Sequence, residues 1–127
     1  MRGKLKRFIS LLLVAFLVIP TGWIGHVAKA ATNVDIPVLL YHRIVQTPTN
    51  QWTDTSIDHF NQAMKYLHDN GYTTLSAEEY VSIMQGTATA PAKAVLLTFD
   101  DATPDFVTTA LPVLKQYNMK SVLFVVS

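Results

Sequence analysis

The stretch that decides the fold is Ala94-Val95-Leu96-Leu97-Thr98-Phe99-Asp100-Asp101, an apolar run that ends in two carboxylates. Its first six residues do not alternate between apolar and polar, which is typical of a parallel strand covered on both faces. Asp100 and Asp101 stand where this strand ends, and functional groups of α/β folds gather at the carboxyl ends of parallel strands. The stretch therefore predicts a parallel α/β fold with a polar site at this edge.

The residues before this strand alternate the patterns of strand and helix. Residues 36–41 predict a buried strand, and the polar, Pro- and Thr-rich residues 42–55 predict a long loop. The capping-box pattern Thr55-x-x-Asp58 predicts the start of an amphipathic helix. A brief strand over residues 72–75 and a short helix with a second capping box, Ser76-x-x-Glu79, follow.

The residues after the two aspartates continue this alternation. A third helix is predicted to begin near Pro104 with Thr103 as its N-cap, and Pro112 is expected to kink it. Residues 121–126 predict another apolar strand. Together these elements predict a parallel α/β layer, either an open sheet or part of a barrel. The sequence stops at Ser127, directly after a strand that needs cover on its second face, so we expect the domain to be truncated.

Composition limits the function classes. A chain of 127 residues forms one domain at most, and the absence of cysteine excludes a disulfide scaffold, a thiolate zinc site and a cysteine nucleophile. The formal net charge is +1, but residues 31–127 contain five basic and nine acidic side chains, a formal charge of −4. A nucleic-acid partner is not expected, because such a domain lacks the basic surface that phosphate backbones require.

The N-terminal segment, residues 1–30, has the organisation of a secretory signal peptide. A basic start precedes an apolar run at residues 8–19, and Ala28-Lys29-Ala30 offers a small-x-small cleavage pattern. The run reaches about 18 Å as a helix, short of the ~30 Å hydrocarbon core. An uncleaved anchor is the alternative, in which only this segment contacts the membrane. Both alternatives place the domain at residues 31–127 outside the cell, either secreted or at the outer face of the membrane or cell wall.

The adjacent carboxylates Asp100 and Asp101 are the main candidates for chemistry. Neighbouring residues point in different directions, so one carboxylate can bind a metal while the other takes a proton from water. The alternative is structural: one aspartate caps the following helix and the other is solvated.

The histidines differ in whether they can contribute to a metal or substrate site. His59 and His68 lie on the first predicted helix about 180° apart at 100° per residue, so they cannot bind one ion together. His42 directly follows the first strand, whose carboxyl end lies on the same side as Asp100 if the two strands are parallel. We therefore take His42 as a candidate for lining the substrate or metal site, against a hydrogen-bonding role within its loop.

Three aromatic residues, Tyr41, Trp52 and Tyr72, are candidates for stacking on sugar rings. The alternative is that they belong to the core, which is the commoner place for aromatic residues in so apolar a chain.

The segment at residues 97–101, followed by those at 111–117 and 121–126, resembles the first sequence block of the polysaccharide deacetylases, the NodB-homology family or carbohydrate esterase family 4. Residues 37–42 and 70–75 resemble the branch that acts on poly-N-acetylglucosamine and related exported polymers. The similarity runs from about residue 36 to the last residue. It implies an α/β fold that is the N-terminal half of a distorted (β/α) barrel.

The resemblance also implies a reaction. Asp100 takes the position of the catalytic base, and Asp101 that of a ligand to a divalent metal, usually zinc and in some members cobalt or nickel. The implied reaction is hydrolytic N-deacetylation of an N-acetylated cell-wall or exported polysaccharide, which releases acetate and leaves a free amine on the sugar.

Two departures from the family pattern lead us to expect impaired activity. Ala102 follows the two aspartates where the family has glycine, and alanine strains a turn that requires a positive φ. A His-Ser/Thr-x-x-His segment, which supplies two imidazole ligands in the family, does not occur before Ser127. A non-catalytic secreted glycan-binding or vestigial module is therefore the alternative function. An aspartate-based phosphotransfer domain is a third possibility, which the predicted export signal argues against.

Overall fold

A computed structural model describes residues 34–49 and 51–126, so the predicted export segment lies outside the described residues. The strands are β1 (Val38–Tyr41), β2 (Arg43–Val45), β3 (Asp54–Ser56), β4 (Thr73–Thr74), β5 (Ala94–Phe99) and β6 (Val122–Leu123). The helices are α1 (Ile57–Asp69), α2 (Ala77–Met84) and α3 (Leu111–Gln116), with a π-helical turn at Phe106–Ala110 directly before α3. Within the described ranges, no helix is long and apolar enough to cross a membrane.

The main sheet is built around β5, and all of its pairings are parallel. β1 runs along one edge of β5, with Val38 opposite Leu96 and Tyr41 opposite Phe99. On the other edge, β4 pairs with the start of β5 and β6 with its last two residues. The parallel α/β architecture predicted from the sequence is therefore confirmed.

The core lies on both faces of β5, all six residues of which are buried. Val95, Leu97 and Phe99 face a cluster that includes Phe60 of α1 and Leu114 of α3. Ala94 and Leu96 face a second cluster, formed with Ile36, Leu75 and Ile83. The absence of alternation in the sequence of β5 thus reflects burial on two sides, as predicted.

The first strand is less covered than expected. Residues 36–41 were predicted to form a buried strand, but Val38 and Leu40 of β1 are about half exposed, whereas Leu39 and Tyr41 pack against the cluster beneath α1. The physical reason is that no described residue packs over the face of β1 that carries Val38 and Leu40, whereas the opposite face lies against the core.

The predicted loop at residues 42–55 contains a second, two-stranded sheet. β2 and β3 pair in parallel, with Arg43 opposite Asp54 and Val45 opposite Ser56. Three-residue strands carry too little periodicity to be recognised, so the loop prediction was wrong for these residues. Ile44 in the middle of β2 is buried and anchors this sheet to the main core.

The first helix begins one residue later than the capping pattern suggested. Ser56 is the N-cap of α1, and its hydroxyl oxygen accepts a hydrogen bond from the His59 N–H at 3.2 Å. Thr55 instead belongs to β3, which extends to Ser56. The second capping box is confirmed, since the Ser76 and Glu79 side chains each accept the other's backbone N–H at the start of α2.

The helical segment after the site begins at Pro104, as predicted, but it contains a π-helical turn that the sequence did not indicate. Pro112 has no N–H to donate to the preceding turn, and its ring crowds the carbonyl four residues earlier. The chain accommodates it with the π-helical turn, in which the Leu111 N–H bonds to the Phe106 carbonyl, so that Pro112 enters the first turn of α3. Thr103 precedes Pro104 in the N-cap position, but its hydroxyl does not cap the helix, because it is buried with no hydrogen-bond partner among the described residues.

The last strand is shorter than predicted. Within residues 121–126 only Val122 and Leu123 form β6, and the following Phe124, Val125 and Val126 are exposed. The Phe124 N–H still bonds to the Phe99 carbonyl at 2.8 Å, which keeps this segment beside the end of β5.

Candidate functional site

The candidate site lies where β1 and β5 end side by side. Because Tyr41 is opposite Phe99 in parallel register, the next residues, His42 and Asp100, leave the sheet at the same edge. The Asp100 N–H continues the ladder by bonding to the Tyr41 carbonyl at 2.9 Å. The His42 Nδ1 lies 3.3 Å from the Asp101 Oδ2. The structure thus brings together the three residues that the sequence singled out.

The turn that carries the aspartates has an unusual backbone. Asp101 and Ala102 both adopt positive φ angles, +69° and +49°. Aspartate tolerates the left-handed region because its short polar side chain bonds locally, but alanine gains nothing there and meets the Cβ penalty of about 1–2 kcal/mol. Ala102 therefore occupies a position with the conformation that we expected to favour glycine.

Asp105 holds this turn against the neighbouring sheet. Its Oδ2 accepts a hydrogen bond of 2.6 Å from the backbone N–H of Ile44 in β2. This contact spans 61 residues of sequence and joins the start of the helical segment to the strand that follows His42. This role of Asp105 was not identified from the sequence. No local pattern signals such a long-range partner.

His42 is held on several sides. Its side chain is 13% exposed, and the Trp52 ring stands almost perpendicular to the imidazole with the ring centroids 5.0 Å apart. The Nε2 atom is buried and has no hydrogen-bond partner among the described residues. Trp52 itself is 84% exposed. The Nδ1 atom of His42 therefore faces Asp101, while the Trp52 indole contacts the imidazole and is itself exposed to solvent.

The loop that carries Trp52 is fixed by Asp54, a residue that we did not single out in the sequence. Its Oδ2 accepts hydrogen bonds from the Thr49 N–H at 2.9 Å and the Thr49 hydroxyl at 2.7 Å, and its Oδ1 lies 3.2 Å from the Arg43 guanidinium. The hydrogen bonds from Thr49, together with the Arg43 charge, hold the pKa of Asp54 below its ordinary value of 3.8. The Asp54 carboxylate thus stays ionised to a lower pH than an ordinary aspartate and continues to accept the hydrogen bonds from Thr49.

The three aromatic candidates for sugar stacking lie in different parts of the structure. Tyr41 packs against Phe60 and Phe99, with ring centroids 5.2 and 5.4 Å away, and burial raises the pKa of its hydroxyl above 10.0. Tyr72 precedes β4, which pairs with the start of β5 and hence lies at the opposite end of the sheet from Asp100. Of the three, only Trp52 lies at the candidate site.

The donor atoms at the candidate site suit zinc in chemical type and spacing. Two ligands of a tetrahedral zinc at about 2.1 Å from the ion lie roughly 3.4 Å apart. The Asp101 Oδ2 and His42 Nδ1 are separated by 3.3 Å and supply an oxygen and an imidazole nitrogen. Catalytic zinc usually has three protein ligands. Across residues 34–49 and 51–126, no group of three metal-ligating side chains occurs.

The other two described histidines do not complete the set. His59 is exposed in the first turn of α1. His68, in the last turn of that helix, lies 3.1 Å from Asp69 and packs its ring beside Tyr117, with the centroids 5.0 Å apart.

Comparison with known proteins points to one family. The family model described as Polysaccharide deacetylase matches residues 87–127, which include β5 and both aspartates. The chain is 35% identical over 103 residues to YxkH of Bacillus subtilis strain 168, whose name describes it as a polysaccharide deacetylase. The aligned region covers 77% of this chain and 34% of that protein.

Solved structures give the same result. The chain superposes on the deacetylase PplD of Streptococcus pyogenes, determined in complex with acetate, with a TM-score of 0.67 and 35% identity over 72% of this chain and 42% of PplD. It superposes on IcaB from Ammonifex degensii with a TM-score of 0.63 and 32% identity, over 71% of this chain and 37% of IcaB. The chain therefore spans less than half the length of these relatives.

Proposed function

The chain belongs to the polysaccharide deacetylase family, of whose NodB-type (β/α) barrel it forms a part, and on that premise we propose that it contributes the Asp100 side of a hydrolytic N-deacetylase site. The substrate class is an N-acetylated polysaccharide outside the cell. The observation that carries the proposal is the convergence of His42, Asp100 and Asp101 at the carboxyl edge of β1 and β5.

Asp100 is the proton acceptor in this proposal. Hydrolysis of an acetamide adds water to the carbonyl carbon and breaks the C–N bond, so a base must take a proton from the water while the amine leaves with a proton. The Asp100 backbone is fixed by the bond to the Tyr41 carbonyl, which positions the carboxylate at the edge of the sheet. The products are acetate and the free amino sugar, and acetate is the molecule bound to PplD.

In this proposal, Asp101 binds the metal and His42 lines the substrate site. The family is metal-dependent, and a divalent metal, zinc first and cobalt or nickel next, supplies a positive charge that stabilises the developing oxyanion when it is bound. Asp101 would hold this metal. His42 orients the Asp101 carboxylate through their 3.3 Å contact, which places its imidazole beside the proposed metal-binding residue.

Zinc titration by calorimetry on the full chain tests this assignment. We expect Asp101→Asn to weaken zinc binding at least tenfold and His42→Ala by about 10- to 100-fold, the usual effect of removing a neighbour of a metal ligand. Asp58→Asn and His59→Ala are matched controls, because both residues are exposed in the first turn of α1, and they should bind zinc like the parent. Equal zinc binding by all five proteins would contradict the assignment.

Export is part of the proposal. The basic, apolar and small-x-small pattern of residues 1–30 supports secretion, or retention at the outer face of the membrane if the segment is not cleaved. Fractionation of cells that produce the full chain tests this. The chain should be recovered outside the cytoplasm, and its recovery in the cytoplasm would refute the localisation.

A non-catalytic glycan-binding module is the second candidate. The observation that favours it is the donor set, since the described residues bring one carboxylate and one imidazole together, whereas catalytic zinc usually has three protein ligands. Such a module binds an N-acetylated oligosaccharide without releasing acetate and is insensitive to chelation. Binding that persists in a chelator, with no acetate released, would select this function over the hydrolytic one.

A further inference from the structure

We propose that Trp52 is a sugar-binding platform of the candidate site, where it contacts the sugar residue next to the one that reacts. This inference rests on the proposed function, which supplies the polysaccharide substrate class. It identifies a substrate-binding residue in the loop between β2 and β3, which is distant from Asp100 and Asp101 in sequence but adjacent to the site through His42.

The argument begins with how Trp52 is held. The Asp54 N–H bonds to the Gln51 carbonyl at 3.0 Å, which places Trp52 and Thr53 at the centre of a tight turn. The Thr53 carbonyl in turn accepts the Arg43 N–H at 3.0 Å. The backbone of Trp52 is therefore fixed on both sides, and its outward position results from a built turn.

The second step is exposure. An indole offers a large apolar face, and 84% of Trp52 is exposed. A single exposed apolar side chain is common and carries no meaning alone. Here the indole also contacts the imidazole of His42, which contacts Asp101 in turn, so the exposed ring lies one residue away from the proposed reacting groups.

The third step is chemistry. The C–H-rich face of a pyranose ring is apolar and weakly positive, and it complements the negative face of an aromatic ring. Because the His42 imidazole lies between the indole and Asp101, a sugar stacked on Trp52 is a neighbour of the reacting sugar. The platform therefore favours oligosaccharides over a single N-acetylated sugar.

Tryptophan fluorescence of the full chain tests the proposal directly. The sequence has two tryptophans, Trp23 and Trp52, so a Trp23→Phe background leaves Trp52 as the sole indole. Titration with an N-acetylated chitooligosaccharide should shift or quench the emission in a saturable way, because stacking removes the indole from water. N-acetylglucosamine alone should bind more weakly.

Variants supply the binding constants. In calorimetry, Trp52→Ala should weaken oligosaccharide binding roughly tenfold, which is about 1.4 kcal/mol and corresponds to about 55 Å² of apolar surface buried on the indole. Trp52→Phe should restore most of the affinity. Tyr66→Ala is the matched control, because Tyr66 is an exposed aromatic residue on α1, and it should bind like the parent.

The outcomes separate the platform from the function on which it rests. If the parent binds the oligosaccharide and Trp52→Ala binds it equally well, the platform is refuted while the substrate class stands. If the parent binds zinc but no oligosaccharide at all, the substrate class fails, and the platform with it. Retention of the parent's circular dichroism spectrum by Trp52→Ala shows that the variant is folded, as expected for a side chain with few packing contacts.

Discussion

Replacing Ala102 with glycine should stabilise the protein. Ala102 has a φ of +49°, in the left-handed region where a Cβ costs about 1–2 kcal/mol. Glycine removes this penalty but adds about 0.4–1 kcal/mol of unfolded-state entropy. The net gain expected for Ala102→Gly is therefore about 0.8 kcal/mol in the free energy of unfolding. In a domain of this size it raises Tm by about 3–6 °C.

The control for this substitution is Ala92→Gly. Ala92 is exposed in the turn before β5 and has no positive φ. Glycine there adds the same unfolded-state entropy without relieving strain, so we expect a loss of about 0.4–1 kcal/mol. The difference between the two variants isolates the left-handed penalty of Ala102, about 1–2 kcal/mol.

Urea unfolding of the full chain and both variants, followed by circular dichroism, provides the free energies. The reasoning would be refuted if Ala102→Gly were destabilised as much as Ala92→Gly, because the turn would then impose no left-handed conformation at residue 102. A gain for Ala102→Gly with unchanged zinc affinity would further show that the strain belongs to the turn and is not required to hold Asp101.

Three further measurements test other parts of the structure. Ser76→Ala removes the N-cap of α2 and should cost about 1 kcal/mol in urea unfolding, whereas Ser82→Ala within the same helix should cost nothing; equal losses would contradict the capping role. The pKa of Asp54 is lowered on folding, so its contribution to stability is complete above its ordinary value of 3.8 and is lost as the pH falls through the lower folded-state pKa. The Tm of Asp54→Asn should therefore fall less steeply than that of the parent as the pH is lowered below 3.8. An equally steep fall in both proteins would contradict the role of the Thr49 hydrogen bonds. Leu97→Ala should cost about 2–5 kcal/mol because the side chain is fully buried; a loss below 1 kcal/mol would mean that β5 is not central.

Local sequence was enough to predict the main strand and the start of one helix. The apolar run of β5 has no alternation, and burial on both faces follows from that pattern alone. The capping box of Ser76 and Glu79 is a contact over three residues, so its pattern and its geometry coincide.

Contacts between distant residues could not be predicted in this way. The Asp105 carboxylate bonds to Ile44 across 61 residues, and β2 pairs with β3 over three residues on each side. Neither has a periodic signal. The π-helical turn before Pro112 was also missed, because the sequence indicates that proline disturbs the helix but not which way the backbone relieves the clash.

The candidate site could be predicted from the sequence only in part. Parallel pairing of β1 and β5 makes His42 and Asp100 neighbours at one edge, which follows from strand order once the strands are recognised. Trp52 could not be separated from Tyr41 and Tyr72 by sequence, because its exposure depends on the turn held by Asp54.

Acetate release from an N-acetylated chitooligosaccharide tests the central claim most directly. With zinc present, the full chain should release acetate slowly, and the release should stop with a chelator or in Asp100→Asn, since a positioned base contributes about 10²–10⁴-fold to such a reaction. Asp58→Asn, which alters an exposed carboxylate on α1, should release acetate at the parent rate. Release that Asp100→Asn leaves unchanged, or oligosaccharide binding without any release, would contradict the role of Asp100 as the base.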